Sequence, residues 1–213
     1  MSLGGHLKAL FRPLRKRFIM AVLSHRVRAK NPTMDAHPTA IWDYGFGDLD
    51  AIEIGRDVSV GPFAEILVYG QSAHSDVPGR LIIGDKAVVS MGCDIRAAGG
   101  TISIGAGSVV SQQNVLVAAN HVIRGDEPRI HVRWDEDRCG IEIGGNVWVG
   151  AGCIILPGTV IGDNAVIAAG SVVRGTIPPG ELWGGVPARK IRTISPEKVK
   201  EPRRTNSALP FGE

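Results

Sequence analysis

Apolar residues return every six positions along much of this chain. From Ile143 the series runs Ile143, Val149, Ile155, Ile161, Ile167 and Val173 without a gap. The fifth members of these hexads are Val147, Cys153, Thr159, Ala165, Ser171 and Ile177, and Gly144, Gly150, Gly162 and Ala168 keep the second place small. The same frame fits Ile104, Val110 and Leu116, then Ile83, Val89 and Ile95, then Ile54, Val60 and Ile66. An amphipathic helix repeats near 3.6 residues, and a sandwich strand alternates with turn signals every 8–12 residues. A six-residue period fits neither. It fits stacked coils, in which each first-place side chain packs on its equivalents above and below. The small fifth residue turns the corner, and glycine permits backbone shapes that other residues resist. Three hexads make one triangular coil, so the frame predicts coils at 54–71, 83–100, 104–121, 143–160 and 161–178. The expected fold is an all-β parallel β-helix with interruptions at 72–82 and 122–142. Long loops on a rigid scaffold usually carry function.

The ends read differently. Leu7, Leu10, Leu14, Phe18 and Val22 share a face at helical spacing within 7–28, among Lys8, Arg12, Arg15, Lys16, Arg17, Arg26 and Arg28. Pro13 breaks or kinks this helix. Two readings stay open for it: docking on an anionic membrane surface, or packing on the β-helix or a neighbouring subunit. Residues 193–213 carry Pro196, Pro202 and Pro210 among charges and read as a loose tail. The expected division is a cationic helix at 1–30, a β-helix domain at 31–192 and a tail at 193–213.

Composition narrows the classes. Hydrophobic residues make up 44% of 213 and aromatic ones 5%, so the core is built from small and β-branched side chains. The 28 glycines lack collagen's three-residue period. A net charge of +3 is too weak to argue for nucleic acid. Cys93, Cys139 and Cys153 are odd in number and show no paired spacing, which argues against a disulfide framework and for a reducing compartment. No apolar run approaches the ~18 residues of a membrane span. Phe18 to Leu23 is too short for a signal-peptide core. The expected location is the cytoplasm, with peripheral membrane contact open through residues 7–28.

Candidate chemistry gathers at the larger interruption. Asn120 and His121 close the third hexad of coil 104–121, and the loop begins immediately after. A histidine held there suits a general base acting on an acceptor hydroxyl, a role worth ~10²–10⁴-fold in rate. Trp148 is sixth in its hexad and should point outward, at the corner that His121 occupies on the adjacent coil. His131, Trp134 and Cys139 in the loop match no standard zinc spacing with His121, so no metal is expected. Asp126, Glu127, Arg129 and Arg133 give that loop a mixed charge suited to covering a polar acceptor. His74 is expected at the surface or on the acceptor side.

The segment 143–192, IGGNVWVGAGCIILPGTVIGDNAVIAAGSVVRGTIPPGELWGGVPARKIR, resembles the hexapeptide-repeat acyltransferases of the sugar O-acetyltransferase group. The resemblance runs from about residue 54 to Arg192. It implies a left-handed β-helix, an exception to the right-handed crossover rule. It also implies a homotrimer with active sites between subunits, and acetyl-CoA as donor. The family's catalytic histidine matches His121, and its active-site tryptophan matches Trp148. Its oxyanion donor is a backbone N–H that falls on Ala151. The acceptor side would comprise Asn120, Trp148 and, across a one-residue gap and a changed residue type, Asp94. Arg189 and Arg192 match basic positions for the donor's phosphates, and Ala169 a small residue lining the pantetheine groove. The family's Thr-Lys pair after SVV is replaced by Arg174 and Gly175, which moves the charge by one position.

The leading reading is therefore acetyl transfer from acetyl-CoA to a sugar hydroxyl of a surface polysaccharide or its precursor. Within the transferase class an antibiotic is an alternative acceptor. A γ-type carbonic anhydrase shares the scaffold but needs three zinc histidines from neighbouring coils. A non-catalytic β-helix used for binding or assembly would leave His121 and Trp148 without a shared purpose.

Overall fold

The computed structural model describes residues 18–44, 49–123 and 132–194. Over these residues the hexads form three sheets, the three faces of a prism. The first face stacks Asp35–Ala36, Ser59–Val60, Val88–Val89, Val109–Val110, Trp148–Val149 and Val166–Ile167 in parallel, and the antiparallel pair Glu181–Gly185 and Ala188–Thr193 closes it. The second face stacks Ile41–Asp43, Glu65–Tyr69, Asp94–Ala98, Val115–Val117, Ile154–Ile155 and Val172–Val173. The third stacks Ile52–Ile54, Arg80–Ile83, Thr101–Ile104, Ile141–Ile143, Thr159–Ile161 and Thr176–Ile177. The chain visits the faces in that order, so each circuit is one coil and six coils stack. First-place residues meet as the period predicts: Leu116 lies between Ile95 and Ile155, and Ile104 between Ile83 and Ile143.

The array is one coil longer than the hexads at 54–178 suggest. Ala36 pairs with Val60 and Trp42 with Ile66, which makes a first coil ahead of Ile54. An alanine and an aromatic replace the aliphatic pair there, and twelve positions separate Trp42 from Ile54, so the frame was hidden. The last coil also differs. Ile177 pairs with Ile161 and is a first-place residue, not a fifth, because the corner at Arg174 and Gly175 is two residues short.

An end coil has no neighbour to cover its core, and repeat arrays need a cap. A helix over residues 18–30 covers the first coil. Leu23 and Val27 are fully buried, and Ile19 and Met20 pack against the core. The Tyr44 hydroxyl donates to the Leu23 carbonyl at 3.2 Å, and Lys30 Nζ donates to the Leu49 carbonyl at 2.9 Å. Phe18 is 71% exposed, so the buried stripe is not the one through Phe18 and Val22. The apolar run from Phe18 to Leu23 admits either face, and only the packing partner chooses. Residues 7–17, including Pro13, and the tail from 195 lie outside the described residues. Among the described residues no helix is long and apolar enough to cross a membrane.

Glycine serves the corners in two ways, and the second place is not the strained one. A Cβ at Gly105 would lie 2.4 Å from the Gly144 backbone, so second-place glycine allows adjacent coils to touch. The left-handed backbone falls at the fourth place, as at Gly92, Gly107, Asn146, Gly152, Asn164 and Gly170. The fifth place is buried as expected, and its polar members are satisfied. Ser108 Oγ donates to the Gly144 carbonyl at 2.7 Å and accepts from the Val147 N–H at 2.9 Å. Asn114 Oδ1 accepts from the Cys153 N–H at 2.7 Å. All three cysteines are free thiols, and burial pushes Cys93 and Cys153 up.

Two corners keep six-residue spacing throughout, whereas the corner from the second face to the third does not. There the strands run on, with Val68, Ala97 and Ala118 taking the inward place, and residues 70–79 and, among those described, 119–123 and 132–140 leave the frame. The excursions share one edge of the prism. That edge carries the candidate site.

Candidate active site

The long corners belong to the second and fourth coils. The third coil between them turns with Gly99 and Gly100 alone. The gap lets the two loops meet. Trp134 of the later loop lies directly over Gly99, whose added Cβ would come 2.2 Å from the ring at Cε3. The Trp134 N–H donates to the His74 carbonyl at 2.9 Å. Val122 N–H donates to Arg133 O at 2.9 Å and Asp135 N–H to Asn120 O at 2.8 Å, flanking a bridge between His121 and Trp134.

A carboxylate ties the two loops together from outside. Glu136 Oε1 accepts from the Asp76 N–H at 2.8 Å, the Ser75 hydroxyl at 3.0 Å and Arg133 at 2.9 Å. The Asp76 amide foremost, then the Ser75 hydroxyl, holds Glu136 below the usual carboxylate range. Arg133 also donates to Asp76 Oδ2 at 2.7 Å. Of the loop charges noted in the sequence, Arg133 fastens loop to loop, and Asp126, Glu127 and Arg129 lie outside the described residues.

His121 is exposed at the base of this arch. Its Nδ1 lies 3.2 Å from the Val132 carbonyl oxygen. A carbonyl only accepts, so this contact requires a proton on Nδ1, and in the neutral ring it leaves the Nε2 lone pair free. That is the tautomer a general base needs, oriented by main chain. Two rings cluster around it. His74 stacks on Trp134 with centroids 5.8 Å apart and planes 25° apart. His121 stands edgewise to Trp134 at 6.2 Å and lies 6.3 Å from His74. On the third-face flank of the loop lies an open cavity of about 540 Å³, lined in part by Thr101, Ser103, Asp137, Cys139 and Glu142.

The remaining candidates lie elsewhere. Trp148 points outward, 56% exposed, with its indole N–H donating to Ser111 Oγ at 3.1 Å. It stands on the first face, and the corner holding His121 is the prism edge opposite that face. The expectation that His121 and Trp148 share a corner of one chain is therefore wrong. The hexad frame sets the two on adjacent coils correctly, but His121 follows a second-face strand and Trp148 is on a first-face strand. Ala151 and Ala169 turn the next edge, between first and second faces, and the Gly170 N–H donates to the Ala151 carbonyl at 2.8 Å. The Ala151 N–H has no acceptor among the described residues. Arg189, opposite Gly184, lies one residue beside this column past the sixth coil, while Arg192 lies opposite Leu182 at the other end of the closing pair. Arg174 is exposed at the second-to-third corner of the sixth coil. Asp94 lies at the start of its second-face strand, away from the His121 corner. Its Oδ2 accepts from Arg96 at 3.0 Å, and its buried Oδ1 has no partner.

Asn120 and His121 are thus joined by His74 and Trp134. Trp148, Ala151, Ala169 and Arg189 form a second group a face away. The partnership of His74 with His121 was missed in the sequence. The usable signal was that both interruptions follow a second-face hexad and so leave the same edge.

Comparison with known proteins decides the kinship. The model of the bacterial transferase hexapeptide (six repeats) matches residues 140–175. A putative lipopolysaccharide biosynthesis O-acetyl transferase of Escherichia coli K12 is 30% identical over 151 residues, which cover 68% of this chain and 76% of that protein. The chain belongs to the hexapeptide-repeat transferase family. A maltose O-acetyltransferase structure from Clostridium difficile 630 superposes with a TM-score of 0.50 at 28% identity, over 68% of this chain and 67% of that one. The coil of this family member is a left-handed parallel β-helix. The scaffold extends beyond the transferases: the mitochondrial γ carbonic anhydrase 2 of Arabidopsis thaliana is 28% identical over 68% of this chain and 51% of its own length. The chain spans about half the length of several curated relatives it matches.

Proposed function

We propose that the protein transfers an acetyl group from acetyl-CoA to a hydroxyl of a sugar, with His121 as general base. One observation carries this reading: the His121 Nδ1–H donates to the Val132 carbonyl, which leaves Nε2 of the neutral ring free at the mouth of the loop. The acceptor hydroxyl gives its proton to Nε2 while its oxygen attacks the thioester carbonyl. The Ala151 N–H, without an acceptor among the described residues, suits the resulting oxyanion. The C–S bond then breaks, and the thiolate leaves with the proton held by His121. The stacked small residues Ala151 and Ala169 leave a groove for the pantetheine arm, and Arg189 beyond them suits its phosphates. Arg174 and Arg192 stand away from that edge and would reach the phosphates only from a neighbouring protomer.

His121 and Trp148 lie on opposite sides of one prism, so a single chain does not complete the site. A homotrimer would set the His121 corner of one protomer against the Trp148 face and Ala151 edge of the next, between which acetyl-CoA would lie. Asn120 and the cavity whose lining includes Thr101, Ser103 and Glu142 offer polar groups to a hydroxyl-rich acceptor such as a polysaccharide precursor. Asp94 Oδ1, buried without a partner, is free to join it from the neighbouring protomer. The unit at 31–192 is the catalytic domain in this reading, working in the cytoplasm.

The test is thiol release from acetyl-CoA with glucose, galactose, N-acetylglucosamine and their UDP derivatives. Release that depends on a sugar is the expected outcome. The rival is a zinc hydrase of the carbonic anhydrase type, favoured by the relative of that name. Stoichiometric zinc with CO2 hydration and no sugar-dependent release would replace the transferase reading.

A further inference from the structure

We propose that His74 is a positioning residue for the acceptor, sharing one hydroxyl oxygen with His121. The inference rests on the reading of His121 as base. The two rings come from separate coils and have no hydrogen bond to each other, yet their centroids are 6.3 Å apart. That spacing admits a single oxygen reaching a nitrogen of each ring through bonds of about 2.8 Å. His121 takes the hydroxyl proton. An N–H of His74 donates to the same oxygen and fixes which lone pair faces the thioester.

The surroundings are built to hold His74 there. Its carbonyl accepts from Trp134 and its N–H donates to Ser72 Oγ at 3.1 Å. The following residue, Ser75, is 5% exposed and bound to Glu136. The ring is stacked on Trp134, which in turn rests over Gly99. Stacking alone would be met by any flat ring. A histidine adds ring nitrogens, and these have no partner among the described residues. Neither loop then works alone: the earlier one orients the hydroxyl that the later one deprotonates.

The experiment compares His74→Phe, His74→Gln and His121→Ala in the full chain. It measures kcat/KM for the best acceptor of the sugar panel and, in parallel, slow acetyl-CoA hydrolysis, in which water stands for the hydroxyl. Phenylalanine keeps the stack and loses the donor; glutamine restores an N–H. His74→Phe is expected to lower kcat/KM for the acceptor, or the hydrolysis rate, about tenfold, the worth of one hydrogen bond. KM for acetyl-CoA and the melting temperature should stay unchanged, and glutamine should recover part of the loss. Unchanged turnover in His74→Phe alongside an inactive His121→Ala would overturn the role of His74 alone. Equal losses in the phenylalanine and glutamine variants would overturn it too, by showing that no hydrogen bond is involved. An active His121→Ala would overturn the base and this inference together.

Discussion

Replacing His121 by alanine is expected to slow acetyl transfer by about 10²–10⁴-fold while leaving acetyl-CoA affinity unchanged. An alcohol is a poor nucleophile near neutral pH, and the barrier falls when its proton has somewhere to go. His121 is exposed at a corner, and among the described residues its side chain bonds only to the Val132 carbonyl. Removing the ring therefore opens no core cavity, and the fold should survive. The groove proposed for acetyl-CoA follows another edge of the prism, so binding should survive as well. His121→Asn is the sharper control. It offers an N–H toward Val132 but no base, and should be as slow as alanine. Thiol release at saturating acetyl-CoA, beside calorimetric binding, reads both quantities. Full turnover in either variant would remove His121 from the chemistry.

Gly99→Ala should be the most damaging small substitution at the site. Gly99 has φ +64°, where a non-glycine residue costs about 1–3 kcal/mol. Its added Cβ would also meet the Trp134 ring at 2.2 Å, so the ring must move. Trp134 holds the rings of His74 and His121 together, and its displacement should lower turnover at least tenfold, by the measure of catalytic groups moved about 1 Å. Gly107→Ala separates the two causes. It has φ +67° with nothing within 4 Å of its added Cβ, so it should be destabilised through the backbone alone and keep its turnover. Thermal unfolding and thiol release on both variants check this. Equal turnover in the two would show that Trp134 does not organise the site.

The coil was legible because Ile143, Val149 and Ile155 repeat one physical task, filling a layer between identical neighbours. The first coil was not, because Trp42 fills its layer with a different shape and no period marks it. His121 was legible as a residue and misread as a place. A linear frame counts hexads but does not label the face on which each lies, so His121 and Trp148 were set together when the prism sets them apart. His74 was underrated for a related reason. Its role arises from the short corner at Gly99 and Gly100, across which two loops separated by a whole coil can touch. Contact of that kind depends on corner length, and six-residue periodicity is silent where the frame breaks. Residues 18–30 pack on the β-helix through Leu23 and Val27, since a β-helix must cover its first coil.

The proposed site is divided between protomers: a base from one and an indole from the next. Co-expression of His121→Ala and Trp148→Ala chains tests it most directly, with each homogeneous variant assayed alongside. In randomly mixed trimers, about a quarter of the interfaces pair an intact His121 with an intact Trp148 from the neighbour. The mixture should then recover about a quarter of wild-type turnover although each variant alone is slow. If both residues served one site within a chain, no mixed trimer would contain an intact site. Turnover no higher than that of the separate variants would contradict the account.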